Sequence, residues 1–400
     1  MLFFLILISC FQFIGLCVGL QQSPIYFVLN PYVALAPLFL IWLAGLAFYR
    51  HASDKNFILP LSIMAGVQLM ILNSFLRSDD FPFSFIRSMQ FFWGPALIIP
   101  MLLGLFRLAK LVNPRRLAQQ FIKSLCFIAA GITLVEVVIV AAGVPPDALP
   151  WVTNVYKGPH RPFGLPAYPQ PNAVFLALLF WLSFIWEVPG KFHRFFSFIA
   201  LGLTFGGTGQ LTFLALLPLW TRKPLLFFVV ALAALGILMG GATITNQHAE
   251  RGIFEKFDLA YLGILISVFM NVSNSFLSQF STSDLLMGSS FISEKATKGL
   301  THDWAYFDVF YVNGLIGLGA YILLYGTIIY VACPREASRQ MRIYFVLIVM
   351  LANFHYGTLN YYIGQMLFSC LAAIGIYRLY PTSERSLRTD FTSTSQHVST

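Results

Sequence analysis

Residues able to do chemistry gather in a few stretches of this 400-residue chain. The first, Lys157-Gly158-Pro159-His160-Arg161-Pro162-Phe163-Gly164-Leu165-Pro166-Ala167-Tyr168-Pro169-Gln170-Pro171-Asn172, holds five prolines and runs straight into an apolar segment. Prolines at this density keep a loop extended and stiff. Pro171 and Asn172 sit where the helix should begin, and a helix N-terminus offers free N–H groups to an anion. Arg161 has the planar fork for a bidentate phosphate contact, although an arginine held at a polar–apolar boundary is an equally plain reading. The second stretch combines Asp284-Leu285-Leu286-Met287-Gly288-Ser289-Ser290-Phe291, Thr301-His302-Asp303-Trp304-Ala305-Tyr306-Phe307-Asp308 and Asn313-Gly314-Leu315-Ile316-Gly317. It sets a histidine, two carboxylates and a tyrosine at the mouth of an apolar run, and such groups can take a proton from an attacking hydroxyl. Gly206-Gly207-Thr208-Gly209-Gln210 is a weaker signal, because glycines there serve either close approach to a ligand or a tight turn. Glu136 stands alone, deep in an apolar run, and must face other helices. With no Asp-x-Asp and no His/Cys ligand spacing, neither a metal nor a cofactor is expected.

The elements positioning these residues follow from composition. Hydrophobic residues make up 58% of the chain and charged ones 10%, and the mean hydropathy is +0.75, which excludes a soluble fold. Unbroken apolar runs such as Leu2–Leu20 and Leu225–Gly240 exclude the alternating strands of a membrane β-barrel. The expectation is an all-α polytopic protein with about twelve transmembrane helices, at 2–20, 26–48, 57–76, 89–106, 121–142, 172–188, 194–206, 210–220, 224–241, 305–332, 343–357 and 361–378. The short seventh and eighth, parted by Gly206-Gly207-Thr208-Gly209, read as half-helices beside a cavity. The five cysteines all lie in or beside apolar runs, so no disulfide framework is implied.

Alternating the loops between two sides divides the 25 basic residues 17 to 8. Arg50, Arg107, Arg115, Arg116, Lys191, Arg194, Arg222, Arg335, Arg339, Arg342 and Arg378 are among those on the richer side. By the positive-inside rule that side is cytoplasmic, with both termini inside. The net charge of +9 then reflects topology and anionic headgroups rather than nucleic acid. Ten of the sixteen acidic residues fall outside, as do the long loops 77–88, 143–171 and 242–304. The last of these carries Arg251 and an amphipathic helix suited to lying in the outer interface. Residues 1–380 therefore form a single transmembrane domain, and 381–400, half serine or threonine, form a disordered cytoplasmic tail.

In order, these stretches resemble the O-antigen polymerase and O-antigen ligase superfamily of bacterial envelope enzymes, from about Arg161 to Leu323. Arg161-x-x-Gly164 followed by Pro171-Asn172-Ala173 resembles the family's Arg, Gly and Pro-Asn pattern at a helix start. Leu286-Met287-Gly288-Ser289-Ser290-Phe291 is similar to its LFGxGF turn. Asp303-x-x-Tyr306 followed by Gly314-x-x-Gly317 resembles the pattern that closes the large periplasmic loop. Counted back from Gly-x-x-Gly, Asp303 and not His302 falls in the ligase histidine column. Gly207-Thr208-Gly209 replaces the family's Ser-Arg-Gly, so one phosphate-binding arginine is missing. Both departures favour the polymerase branch.

The resemblance implies a GT-C-like multi-pass enzyme of the bacterial inner membrane with a large periplasmic loop. It implies a glycosyltransferase that polymerises undecaprenyl-diphosphate-linked oligosaccharide repeats of O-antigen, capsule or exopolysaccharide at the periplasmic face. Asp303, with His302 second and Tyr306 orienting, would be the catalytic group; Arg161, Arg251, Asn172 and Thr208 would hold diphosphate and sugar. Partners would be the lipid-linked oligosaccharides, membrane lipids, a chain-length regulator and a flippase. The alternatives are an O-antigen ligase that moves glycan onto lipid A core, and a lipid-linked oligosaccharide flippase. A flippase should carry charges deep in its helices, where this chain has only Glu136.

Overall fold

A computed structural model describes residues 1–18, 94–95, 97–98, 101–102, 105, 113–152, 160–221, 281–288, 305–353 and 358–379. Among them every regular element is helical and no strand occurs. The expected helices at 26–48, 57–76 and 224–241, most of 89–106, and the tail 381–400 lie outside the described residues. So do the loop 77–88, most of 242–304 and, within them, Arg251, His302 and Asp303.

The helices are α1 (Leu2–Cys17), α2 (Pro114–Ala141), α3 (Pro169–Ile185), α4 (Phe192–Leu203), α5 (Gly207–Ala215), α6 (Pro218–Thr221), α7 (Thr282–Met287), α8 (Ala305–Ala332), α9 (Arg339–Ala352) and α10 (Tyr362–Tyr377). Two segments, Pro114–Ala141 and Val309–Ala332, are long and apolar enough to cross a membrane. In each, only 33% of the most apolar window is buried inside the protein, so most of that apolar surface faces outward. Phe3, Phe192, Phe195, Trp220 and Leu323 are likewise exposed.

Local signals set the boundaries. Asn113 caps α2, its side chain accepting from Arg116 N–H at 3.2 Å, and Pro114 occupies the first helical position. The helix therefore starts seven residues before the apolar run. In the same way Pro169 starts α3 ahead of Asn172. α3 and α10 are buried almost all round, as apolar helices at the centre of a bundle must be. They run parallel: Tyr168 and Tyr361 meet at their starts with ring centroids 5.8 Å apart, and Arg378 at the end of α10 lies 5.7 Å from the Trp186 ring at the end of α3.

Expected as one span, 305–332 is not straight. Gly314 has φ 64° and ψ −167° in the midst of α8, and Tyr306 packs edge-on against Tyr321 at 6.1 Å. In a continuous helix those two would be about 22 Å apart along the axis. The chain before Gly314 therefore folds back on the helix after it, and the straight part begins at Leu315.

Basic residues from several helix ends meet at one end of the bundle. Arg115 pairs with Glu187 at 2.6 Å, Trp186 Nε1–H donates to Ala332 O at 3.1 Å, and Arg378 donates to the Glu336 carboxylate. The starts of α2, α4 and α9 and the ends of α3, α8 and α10 thus share one end of the bundle.

Candidate functional site

Glu136 organises the opposite end. It is wholly buried, yet its carboxylate is saturated. Oε1 accepts from Phe163 N–H and faces His160 Nε2, both at 2.8 Å, and Oε2 accepts from Trp151 Nε1–H at 2.9 Å and Gly164 N–H at 3.0 Å. Three of these partners can only donate, so both carboxylate oxygens act as acceptors, and the His160 ring nitrogen completes the set. One buried charge thereby pins the proline-rich loop to α2.

Beneath the loop, Asn172 closes the arrangement. Its Nδ2 donates to Thr133 Oγ1 at 3.1 Å and to Pro162 O at 3.3 Å, and it is fully buried. Asn172 therefore holds the loop, and any contact with a ligand would pass through its neighbours. Gly164 has φ 57°, and a Cβ there would lie 2.3 Å from the Asn172 amide, so both backbone and space require glycine. Arg161, between His160 and Pro162, is part-exposed, and no described residue pairs with its guanidinium.

The helix start supplies less than its sequence suggests. Pro169 and Pro171 have no N–H, and Asn172 N–H is already bonded to Tyr168 O at 3.0 Å, leaving Gln170 as the donor of that first turn. α5 is more open. Gly207, Thr208 and Gly209 precede its first internal bond, from Gln210 N–H to Gly206 O at 3.0 Å.

Gly206 and Gly209 lie hard against the start of α3. A Cβ on Gly206 would come 2.5 Å from the Ala173 Cβ, and one on Gly209 would come 2.4 Å from the Ala173 backbone. They let α5 press against α3, and the two run side by side: Trp181 Nε1–H donates to Phe213 O at 3.1 Å, and Phe184 stacks on Trp220 at 5.5 Å. The expected half-helices are thus short but packed, with the backbone of Thr208 one turn from Ala173. The Arg161 loop, the start of α3 and the start of α5 converge at Asn172–Ala173.

The described parts of the second stretch also meet. A Cβ on Gly314 would meet Leu286 O at 2.4 Å, and one on Gly288 would meet Val312 O at 2.2 Å. The turn after α7 and the kink of α8 are therefore in backbone contact, which accounts for two motifs that composition left unconnected. Asp284 belongs to a capping box with Ser281 at the start of α7. Tyr306 donates its hydroxyl to Met350 O at 2.5 Å, which ties the folded-back segment to the end of α9. In the described part of the link between α9 and α10, Thr358 and Leu359 are buried, and Asn353 and Gln365 pair the Leu359 backbone: Asn353 Oδ1 accepts Leu359 N–H at 3.0 Å and Gln365 Nε2–H donates to Leu359 O at 2.8 Å. Backbone of this kind persists at depth only where protein groups pair it.

One path of contacts joins the two stretches. Tyr306 packs on Tyr321, whose hydroxyl accepts from Asn353 Nδ2–H at 3.1 Å. Asn353 holds Leu359, and two residues on, Tyr361 packs on Tyr168 beside Asn172. Among the described residues no group of three or more His, Cys, Asp or Glu is placed to hold a metal. No family model, curated protein or solved structure matches the chain.

Proposed function

We propose that this chain is a multi-pass glycosyltransferase of the bacterial inner membrane that polymerises undecaprenyl-diphosphate-linked oligosaccharides at the periplasmic face. The carrying observation is that the Arg161 loop and the Tyr306 segment, far apart in sequence, lie at the same end of the bundle. That end is opposite the arginine-rich one, as a periplasmic site requires. Two helices apolar enough to span and the outward-facing aromatic residues support a membrane setting, with about twelve spans, a GT-C-like arrangement and both termini inside as the full form of the reading.

In this reading the anomeric carbon–oxygen bond to diphosphate breaks as an acceptor sugar hydroxyl forms the new glycosidic bond. Arg161 and Arg251 offset the charge on the departing diphosphate, with the open N–H groups around Thr208 beside them. Asp303 takes the hydroxyl proton, with His302 as the second candidate. Glu136 and Asn172 act on the reaction by fixing the loop that bears Arg161.

Gel analysis of surface polysaccharide from a deletion strain tests the proposal. A single repeat on the lipid A core is the expected pattern. Free polymer left on the carrier lipid would instead mean a ligase, and lipid-linked units trapped in the cytoplasm a flippase.

A further inference from the structure

At the arginine-rich end, where α8 finishes, α9 starts and α10 finishes, lies a cavity of about 480 Å³ whose lining includes Tyr330, Val331, Arg335, Arg342, Arg378 and Leu379. Its volume falls within the ~300–1,000 Å³ typical of small-ligand sites. Among the described residues three guanidinium groups line it and no carboxylate does. Two of the three are held in place. Arg342 Cζ sits 4.4 Å over the Tyr330 ring, and Arg378 is braced by Glu336 and lies against Trp186. The hydrogen bond from Arg378 keeps the Glu336 carboxyl below its usual range, so this brace stays charged at neutral pH. Arg342 Nε is buried and has no acceptor, although a buried donor is normally paired. An unpaired guanidinium donor, two further arginines and an apolar wall from Val331 and Leu379 match an anion carried on an apolar body.

We propose that this cavity binds a phosphate group, that of an anionic phospholipid headgroup seated where the apolar helix that follows the Gly314 kink ends at Ala332. Arginine suits phosphate oxygens through its planar, bidentate fork, and basic pockets at the cytoplasmic ends of membrane helices take lipid headgroups. Nothing in this assignment depends on the chemistry proposed for the opposite end.

The test uses the full chain purified in detergent, with dioleoylphosphatidylglycerol, dioleoylphosphatidylcholine and inorganic phosphate as probes and native mass spectrometry as readout. Wild-type protein should retain phosphatidylglycerol well above phosphatidylcholine, and Arg335→Gln/Arg342→Gln should weaken retention roughly tenfold or more. Arg342→Lys should recover only part of it. Arg335 is exposed, so Arg335→Gln alone, which leaves the packing untouched, gives a smaller loss in the same direction if the double variant does not fold. Arg116→Gln, an exposed basic change at the same end outside the cavity, should leave retention unchanged. Millimolar inorganic phosphate failing to displace the lipid supports the lipid source; displacement by phosphate reassigns the site to a free phosphate and overturns the lipid part. Equal retention of the two lipids, or equal losses in Arg335→Gln and Arg116→Gln, would overturn the site altogether.

Discussion

Glu136 accepts the backbone N–H of Gly164 at 3.0 Å across 28 residues of sequence, so a carboxylate within the longest described helix fixes the geometry of a loop outside it. Removing one partner of a buried charged cluster is costly, because the others stay buried unpaired. Glu136→Ala strands the N–H groups of Trp151, Phe163 and Gly164 and the His160 ring, and should cost about 3 kcal/mol. Glu136→Gln keeps one acceptor but turns an NH₂ toward a donor, costing about 1–3 kcal/mol. Thermal unfolding in detergent reads both, and unchanged midpoints would mean that the carboxylate does not hold the loop.

Arg161 is the part-exposed product of that clamp. Arg161→Ala should sharply reduce polymer length at normal protein level, and Arg161→Lys should rescue it partly, since an ammonium lacks the bidentate fork. Glu136→Gln should shorten the polymer in the same assay by misplacing Arg161. Normal chain-length distributions in Arg161→Ala would leave this residue a boundary anchor.

How far the sequence revealed this end is seen by comparing residues. The cap Asn113-Pro114 and the proline at 169 are local signals, readable without tertiary structure, yet apolar runs alone put those helix starts several residues late. The depth of Glu136 announced a buried partner but could not name one, because its donors come from Trp151, His160 and a loop backbone that only folding brings near. The fold-back at Gly314 was hidden for a related reason: hydropathy continues unbroken across it, and the contact that explains it is with Leu286 and Gly288. The place of Asn172 at a helix start is visible in sequence, whereas its bonds to Thr133 and Pro162 are not.

The glycines beside Ala173 permit a paired test. A Cβ on Gly206 would meet chiefly the Ala173 Cβ, at 2.5 Å, while one on Gly209 would meet the Ala173 Cβ and carbonyl carbon, both at 2.4 Å, and the carbonyl oxygen at 2.6 Å. Both Gly206→Ala and Gly209→Ala should destabilise by overpacking, by about 1–3 kcal/mol. Ala173→Gly should rescue the first more fully than the second, because it removes the Cβ from both contacts but leaves the Gly209 Cβ against the backbone carbonyl of residue 173. Equal rescue of both in a thermal double-mutant cycle would contradict the packing of α5 on α3.

Orientation has its own measurement. In a background lacking the five native cysteines, single cysteines at Ala148 and Thr297 should react with an impermeant thiol reagent from the periplasm, and one at Ser338 should not. Ala148 and Ser338 are both exposed, so burial cannot account for a difference between them. Reversed labelling would invert the charge-based topology and put the Arg161 loop on the cytoplasmic face.

The identity of the base turns on Asp303 and His302, where register against Gly314-x-x-Gly317 favours the carboxylate and the ligase pattern favours the imidazole. A base must reach the incoming hydroxyl within hydrogen-bond distance and be deprotonated at the working pH. Asp303→Asn preserves size and removes the charge, so it should abolish polymerisation, whereas His302→Gln should retain appreciable activity. Tyr306 supplies the internal control. Its hydroxyl donates to Met350 O, so Tyr306→Phe should cost about 1 kcal/mol of stability and lower activity far less than Asp303→Asn does. A dead His302→Gln beside an active Asp303→Asn would return the assignment to the ligase-like histidine. Activity in both would exclude both as the base and move the search to Asp308 or Glu294, two neighbouring carboxylates.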